Sequence, residues 1–505
     1  MKTVFRKITA VAVTSILFTL LFYHELIGIN LILFELISVL LLAWIYPFPL
    51  RNLWLRLTLL GLVSTAFFVI FFHTAFAITM NLVSLAFLTT SLFWSSLKNP
   101  AWSFLLFFAN VPLSVIRVFK VAAEKISRFR AGKIIIRVLK IAVFPIIVAI
   151  IFFVIYLIAN PFFNNSVEGF LTRFELFLTT FFKNINLELI FFYLFGAVVA
   201  SALFIHTKYS GVLAKDSLFT NALIRKRRRI TFQHKVMSLQ SEYRSGILLL
   251  ILLNAMIAFL NYLDIANVWL NFEWNGQFLK QFVHSGTWLL IFSIFISAGV
   301  ALYFFRGNLN FYKKNKFLRI LTQLWLAQNA FMTLSVAVRN YWYVYYYNLA
   351  YLRIGVFIFL ILTIAGLLTV FIKISKCRSA GFVVRTNFLI IYAVLIFFSG
   401  FNWNRIIARY NITHSSSAYF HLDYMVSLPN SVLPDLKENA ALFLVPYVQT
   451  EDHPYSSRRI TYNSDIKNYN QILEIRYKDF CKSWEAQSWL SWNYADQRAY
   501  NKISR

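Results

Sequence analysis

Residues 353–411 read RIGVFIFLILTIAGLLTVFIKISKCRSAGFVVRTNFLIIYAVLIFFSGFNWNRIIARYN. Two apolar runs, 353–372 and 386–401, flank a short segment, 373–385, that carries Lys373, Lys376, Arg378 and Arg385 and no acid. A helix of about 20 apolar residues crosses a hydrocarbon slab of ~30 Å and satisfies its own backbone groups while doing so. A short cationic segment between two such runs is the pattern of a cytoplasmic hairpin. After the second run the chain turns polar at Asn402.

The same alternation fills the rest of the chain. Further runs lie at 8–23, 29–46, 57–72, 75–94, 141–158, 189–206, 246–263, 286–305 and 319–338, which makes eleven spans. Of 505 residues, 59% are hydrophobic and only 14% charged, where a soluble globular domain carries roughly 25% charged. The sequence therefore predicts an all-α polytopic membrane protein. Residues 1–401 form a transmembrane bundle, and 402–505 form a small, mainly helical domain outside the cytoplasm. No small-residue cleavage site follows the first run, which reads as an uncleaved anchor.

Orientation follows from the loops. The net charge of +29 is concentrated before residue 402, because 402–505 holds 12 Lys and Arg against 10 Asp and Glu. The cations lie in 117–140, 207–245, 306–318 and 373–385, including the run Arg225 to Arg229, whereas 159–188 and 264–285 are balanced. Such loops stay in the cytoplasm and meet anionic lipid head groups. Nucleic-acid binding is not expected from this distribution. Seven spans after 117–140 place the C-terminus outside.

Ala101–Ile116 is apolar but short and interrupted at Pro112. If it does not span, Lys2, Arg6, Lys7, Arg51 and Arg56 are all cytoplasmic; if it spans, all move outside. The eleven-span arrangement is preferred on that ground. Residues 117–135 place Val118, Ala122, Ile126 and Phe129 on one face, as an interfacial helix would.

In the tail, Ile466 to Trp484 has helical periodicity, through Ile472, Leu473 or Ile475, Tyr477 and Phe480, and a second short helix starts near Asp496. Cys377 and Cys481 fall on opposite sides of the membrane and give no disulfide framework.

Candidate functional residues are few. Glu35 lies inside the second span, where a carboxylate is costly and marks function or snorkels to the interface. Arg339 and Arg353 flank the block Tyr341–Asn348 on the outer side, against the usual charge bias. They bind an anionic head group, pair with Glu35 or Asp264, or snorkel beside an aromatic belt. Gln323, Gln328 and Asn329 read as helix-to-helix glue. His414, Ser415, Ser416, His421 and Asp423 contain the letters of a hydrolytic triad without its elbow. No metal, nucleotide or cofactor motif is present.

The stretch 319–435 resembles a known family. Trp325–Asn329 (WLAQN), Arg339-Asn340, Tyr346–Arg353 (YYNLAYLR), Gly366-Leu367, and then Asn402-Trp403 and Ile406–Asn411 (IIARYN, an IARYN-type motif) are similar to bacterial membrane proteins called domain of unknown function 4173, related to 4153. Leu422-Asp423-Tyr424 and the closing Trp489–Tyr500 (WLSWNYADQRAY) continue the resemblance. It implies a bacterial inner-membrane location and no established activity. Asn348 and Ala350 stand where the family is more glycine-rich. Asn402, Asn404 and Arg405 cap the last span, and with Arg409 and Asn411 they form a hinge or a ligand site at the tail junction. The expected role is a non-enzymatic accessory or sensory protein, with a protein partner at the tail and anionic lipids at the inner loops. A transporter is the alternative; a membrane enzyme ranks third, because the first outer loop, 24–28, offers Glu25 alone.

Overall fold

The computed structural model describes residues 2–126, 186–207, 209–225, 239–270, 287–443, 459–460 and 469–504, with scattered positions between 141 and 173. The expected span 141–158 falls partly, and the cations Lys226 to Arg229 wholly, outside them. The principal helices are α1 (Lys2–Phe22), α2 (Ile29–Ile45), α3 (Leu53–Phe72), α4 (Ala75–Phe93), α5 (Trp102–Ile126), α6 (Leu187–Phe204) and α7 (Ser210–Ser217). They continue as α8 (Leu239–Asp264), α9 (Thr287–Phe304), α10 (Lys316–Tyr347), α11 (Tyr351–Ser375) and α12 (Ala380–Ser399). The tail adds α13 (Trp403–Thr413), α14 (Leu422–Val426), α15 (Leu433–Lys437), α16 (Tyr469–Ala486) and α17 (Tyr494–Ile503). Among the described residues, eight helices are long and apolar enough to cross a membrane, and α2 and Leu289–Phe304 are shorter apolar helices.

The chain packs into two compact units, one of residues 1–51, 86–95 and 103–209, the other of 52–85, 96–102 and 210–505. In the first, α1 and α2 form a hairpin whose turn is tied by Asn30. Its Oδ1 accepts from Gly28 N and Leu31 N, and its Nδ2 donates to the Leu21 and Leu26 carbonyls. Helix α6 runs antiparallel to α1, with the Phe18 and Phe192 rings stacked at 5.3 Å. Gly196 admits Phe18, whose Cδ1 would lie 2.8 Å from any added Cβ.

A helix end leaves carbonyls without intrahelical partners, and side chains satisfy those of α6. Tyr46 Oη donates to Phe204 O at 2.8 Å, Asn110 Nδ2 to Ile205 O at 2.8 Å, and Arg117 to His206 O at 2.7 Å. The last two donors sit mid-way along α5, so α5 crosses the end of α6 instead of lying alongside it. Ser103, Leu106, Asn110 and Ser114 form its buried face, while Phe104, Phe108, Ile116 and Phe119 are exposed. Pro112 does not interrupt α5, contrary to expectation; it costs the helix one hydrogen bond, which a continuous 25-residue helix absorbs. The helix continues through Arg117, and 127–135 lies outside the described residues.

In the second unit α8 and α10 run parallel. Gln328 Nε2 donates to Asn254 Oδ1 at 2.8 Å and Asn254 Nδ2 to Leu321 O at 3.1 Å. Gln323 reaches Ser375 Oγ on α11 at 2.9 Å, whereas Asn329 bonds within its own helix to Trp325 O. Helices α3 and α12 are also parallel: Trp54 packs on Phe388 and Tyr392, and Gly400 lies against Phe68. At one end of this unit three connecting segments meet. Leu223 N donates to Cys377 O at 3.0 Å, Ser379 N to Asn221 O at 3.0 Å, and the buried Lys373 to Phe305 O at 2.7 Å.

Helix α10 has 32 residues, about 48 Å at 1.5 Å per residue, so it outruns a hydrocarbon slab. The aromatic block Tyr341–Tyr347 is its last two turns. Helix α8 likewise continues as a π-helix, Ile265–Leu270, where the sequence predicts an outer loop from 264. Packing explains both extensions, since Trp342 Nε1 donates to Val268 O at 3.0 Å and Trp269 stacks on Phe331.

The tail does not form a core of its own. Ile354 and Ile358 of α11 share one cluster with Ile407, Leu422, Met425, Leu433, Leu436 and Phe480. Helix α16 buries Tyr469, Leu473, Tyr477 and Phe480; Ile475 faces outward at 59% exposure, so Leu473 is the core residue. Strands Phe420–His421 and Arg459–Ile460 pair in parallel.

Asn348, between α10 and α11, has φ 65° and ψ −178°, a backbone region that is essentially glycine's alone, so the asparagine there is strained. Its Nδ2 donates to Tyr419 O at 3.1 Å. Asn348→Gly is therefore expected to change the thermal midpoint little, the relief of strain offsetting the lost bond, while Asn348→Val costs about 2 kcal/mol. Equal midpoints for the two variants would contradict this.

Candidate functional site

Helix α13 decodes the IARYN motif by helical spacing. Asn402 is its N-cap and accepts from Arg405 N at 3.1 Å. Asn404, Ile407, Ala408 and Asn411 form the buried face. Arg405 and Arg409, four residues apart, share another face and both donate to Asp435, at 3.3 and 3.1 Å. Asp435 is buried, on the short helix α15.

The two buried asparagines hold the turn between α10 and α11. Asn411 accepts from Leu349 N at 2.8 Å and donates to Leu349 O at 3.0 Å, as a paired strand would. Asn404 Oδ1 accepts from the Tyr351 hydroxyl. Arg353 closes the turn from below: its guanidinium donates to the carbonyls of Tyr347 and Asn348 and lies 4.3 Å from the Tyr343 ring centroid. Asp423 accepts from the Tyr469 hydroxyl at 2.6 Å, and His414 Nδ1 contacts Tyr410 O at 2.8 Å. Asp423 and His414 thus each have a structural partner of their own. Burial holds the His421 imidazole below its usual range, the Arg353 charge adds to this and Asp423 opposes it. Burial likewise pushes the Tyr424 phenol up.

Beneath this turn lies a cavity of about 720 Å³. One wall is a single face of α11, Tyr351, Ile354, Gly355, Ile358, Phe359 and Leu362. Those eleven residue steps along a helix span about 16 Å. Trp403, Asn404 and the segment Tyr424–Pro429 close one end, and His73 to Phe76 form a side. Polar groups gather at the tail end, where Tyr351 donates its hydroxyl to Asn404 and its backbone N–H to the Tyr424 hydroxyl. Farther in, the lining is aliphatic and aromatic. Gly355 faces open space, with no atom within 4 Å of an added Cβ. His73 Nδ1 is 3.3 Å from Asp496 of α17. This arrangement suits an amphiphile, with its chain along α11 and its polar end at the rim.

Arg339 is buried with Asp264, which also accepts from Ser335 Oγ at 2.6 Å. Glu35 is buried in α2 of the first unit, and Arg339 and Arg353 have their partners within the second. Among the described residues, no group of three His, Cys, Asp or Glu could hold a metal ion. Sequence reasoning missed Asp435, Gly355, Tyr351 and His73. Only the i, i+4 pair Arg405 and Arg409 signalled that an acid should face α13.

No curated protein and no solved structure matches the chain. A family model described as "Domain of unknown function (DUF4153)" matches residues 36–439, from α2 to just beyond α15 and across the whole junction. The chain belongs to that family.

Proposed function

We propose that this is a non-enzymatic sensory or accessory protein of a bacterial cytoplasmic membrane. It takes an amphiphile into the junction cavity and presents the tail to a protein partner outside. The carrying observation is that α11 and the tail build the cavity jointly, so filling it bears on both. A cytoplasmic N-terminus, an external tail and eleven spans belong to this reading, as does closer kinship with domain of unknown function 4173.

Several contacts support the topology. The segments 218–225, 305–316 and 373–385 share one end of the second unit, and the tail occupies the other. Helix α3, parallel to α12, starts at the cationic end with Arg51 and Arg56. Helix α5 is long and apolar enough to cross a membrane, but in this reading it crosses the end of α6 and lays its exposed apolar stripe along the inner interface.

The test is Gly355→Phe, which directs a ring into the cavity from a position where no atom lies within 4 Å of the added Cβ. A diazirine-bearing fatty acid is expected to label 351–362 in the wild type and at least tenfold less in the variant, at an unchanged thermal midpoint. Equal labelling would sink the proposal. A transporter is the second reading, favoured by the buried Asp264–Arg339 pair leading into a π-helix. Proteoliposome flux that vanishes in Glu35→Gln would support it over the first.

A further inference from the structure

Several of the described cations are satisfied from within. Lys373 has the Phe305 carbonyl, Arg339 has Asp264, Arg353 has two backbone carbonyls, and Arg405 and Arg409 have Asp435. Where α1 begins and α6 ends, Arg6 lies over Trp44, Lys7 over Tyr46, and Arg117 reaches the His206 carbonyl, and among the described residues none of the three pairs with a carboxylate. We propose that these three cations form a site for the phosphate of an anionic phospholipid head group.

The geometry leaves donors to spare. Lys7 Nζ lies 4.9 Å from the Tyr46 ring centroid and makes no hydrogen bond to any described residue. The Arg6 guanidinium lies 5.0 Å from the Trp44 ring centroid, with only a long bond of 3.4 Å to Trp44 O. Arg117 spends one nitrogen on His206 O, and a guanidinium carries five N–H donors. Its charge is felt at both Lys7 and Tyr46. The negative end of α6 attracts cations here. Its last carbonyls already accept from Tyr46, Asn110 and Arg117, however, which leaves the Lys7 charge uncompensated. An anion between Lys7 and Arg117 relieves their repulsion and uses the idle donors.

The neighbouring surface points to a lipid over a soluble phosphate. Helix α5 carries Arg117, and its exposed stripe of Phe104, Phe108, Ile116 and Phe119 offers acyl chains a wall beside the head group. The site is distinct from the junction cavity and rests on the proposed topology only for the leaflet that supplies the lipid.

The test uses the full chain in mixed micelles with phosphatidylglycerol or phosphatidylcholine, read by native mass spectrometry. The wild type is expected to retain phosphatidylglycerol preferentially. Lys7→Gln, which removes no hydrogen bond, weakens that retention about fivefold, and adding Arg117→Gln multiplies the loss by about the same factor. Arg117→Lys keeps most of the binding, which separates charge from any folding defect. Lys313→Gln, in another basic loop, leaves it unchanged. Glycerol phosphate that displaces the lipid at matched concentration would keep the phosphate site but overturn the lipid assignment. Equal retention of the two lipids, or by wild type and Lys7→Gln, would overturn the proposal.

Discussion

Asp264→Asn is expected to destabilise the second unit by about 3 kcal/mol, since breaking a buried ion pair by removing one charge costs roughly 3–5 kcal/mol. The substituted amide could still take the Ser335 hydroxyl, but the Arg339 guanidinium would remain buried without its carboxylate. The pair ties the C-terminal end of α8 to α10 just before the π-helix, so chymotryptic cleavage at Trp269 and Leu270 should accelerate in the variant. The informative control is Asp264→Leu with Arg339→Met. Two apolar side chains of similar volume should recover most of the loss, because the desolvation of both charges disappears with them. Losses of the two single variants that simply add in the double variant would show that the two residues are not energetically coupled.

Asp435→Asn should loosen the tail by about 2 kcal/mol, again with an asymmetric pattern. Asp435 is buried, and so is most of Arg405, but Arg409 is more than half exposed. Solvent screens the exposed pair, so Arg409→Gln should cost no more than about 1 kcal/mol, less than Arg405→Gln. Limited proteolysis between α15 and α16, together with the thermal midpoint, reads both effects. If Arg409→Gln proved as damaging as Asp435→Asn, the division of labour between the two arginines would be wrong.

These two centres show how far sequence reading reaches. Arg339 is legible because the sequence predicts it on the outer side, where an arginine goes against the charge bias, and Asp264 is one of the two partners that the sequence offers it. Choosing Asp264 over Glu35 requires knowing that α8 and α10 run parallel with residues 264 and 335–339 level with each other. The motif 402–411 is legible as a junction, and its asparagines as anchors. That Asn411 clasps Leu349, 62 positions away, follows from no local pattern. The choice of Leu473 over Ile475 is likewise open in the sequence, since both satisfy the helical period.

Some boundaries move for a physical reason. Hydropathy ends a span where polar residues begin, yet α8 and α10 continue because each supplies the other with partners, Trp342 to Val268 O and Trp269 to Ser335. Polarity alone predicts the tail as a separate domain, but its core includes Ile354 and Ile358 of α11.

The chain by itself determined its helical, membrane-like character, because apolar runs of about 20 residues have few other stable states in water or lipid. It also determined where the cations lie along the chain. Only the tertiary structure decided which cations have partners, that α5 crosses the end of α6, and that a cavity opens beneath the turn held by Asn404 and Asn411. Those outcomes depend on contacts between residues far apart in sequence, and local hydropathy and spacing carry no record of them.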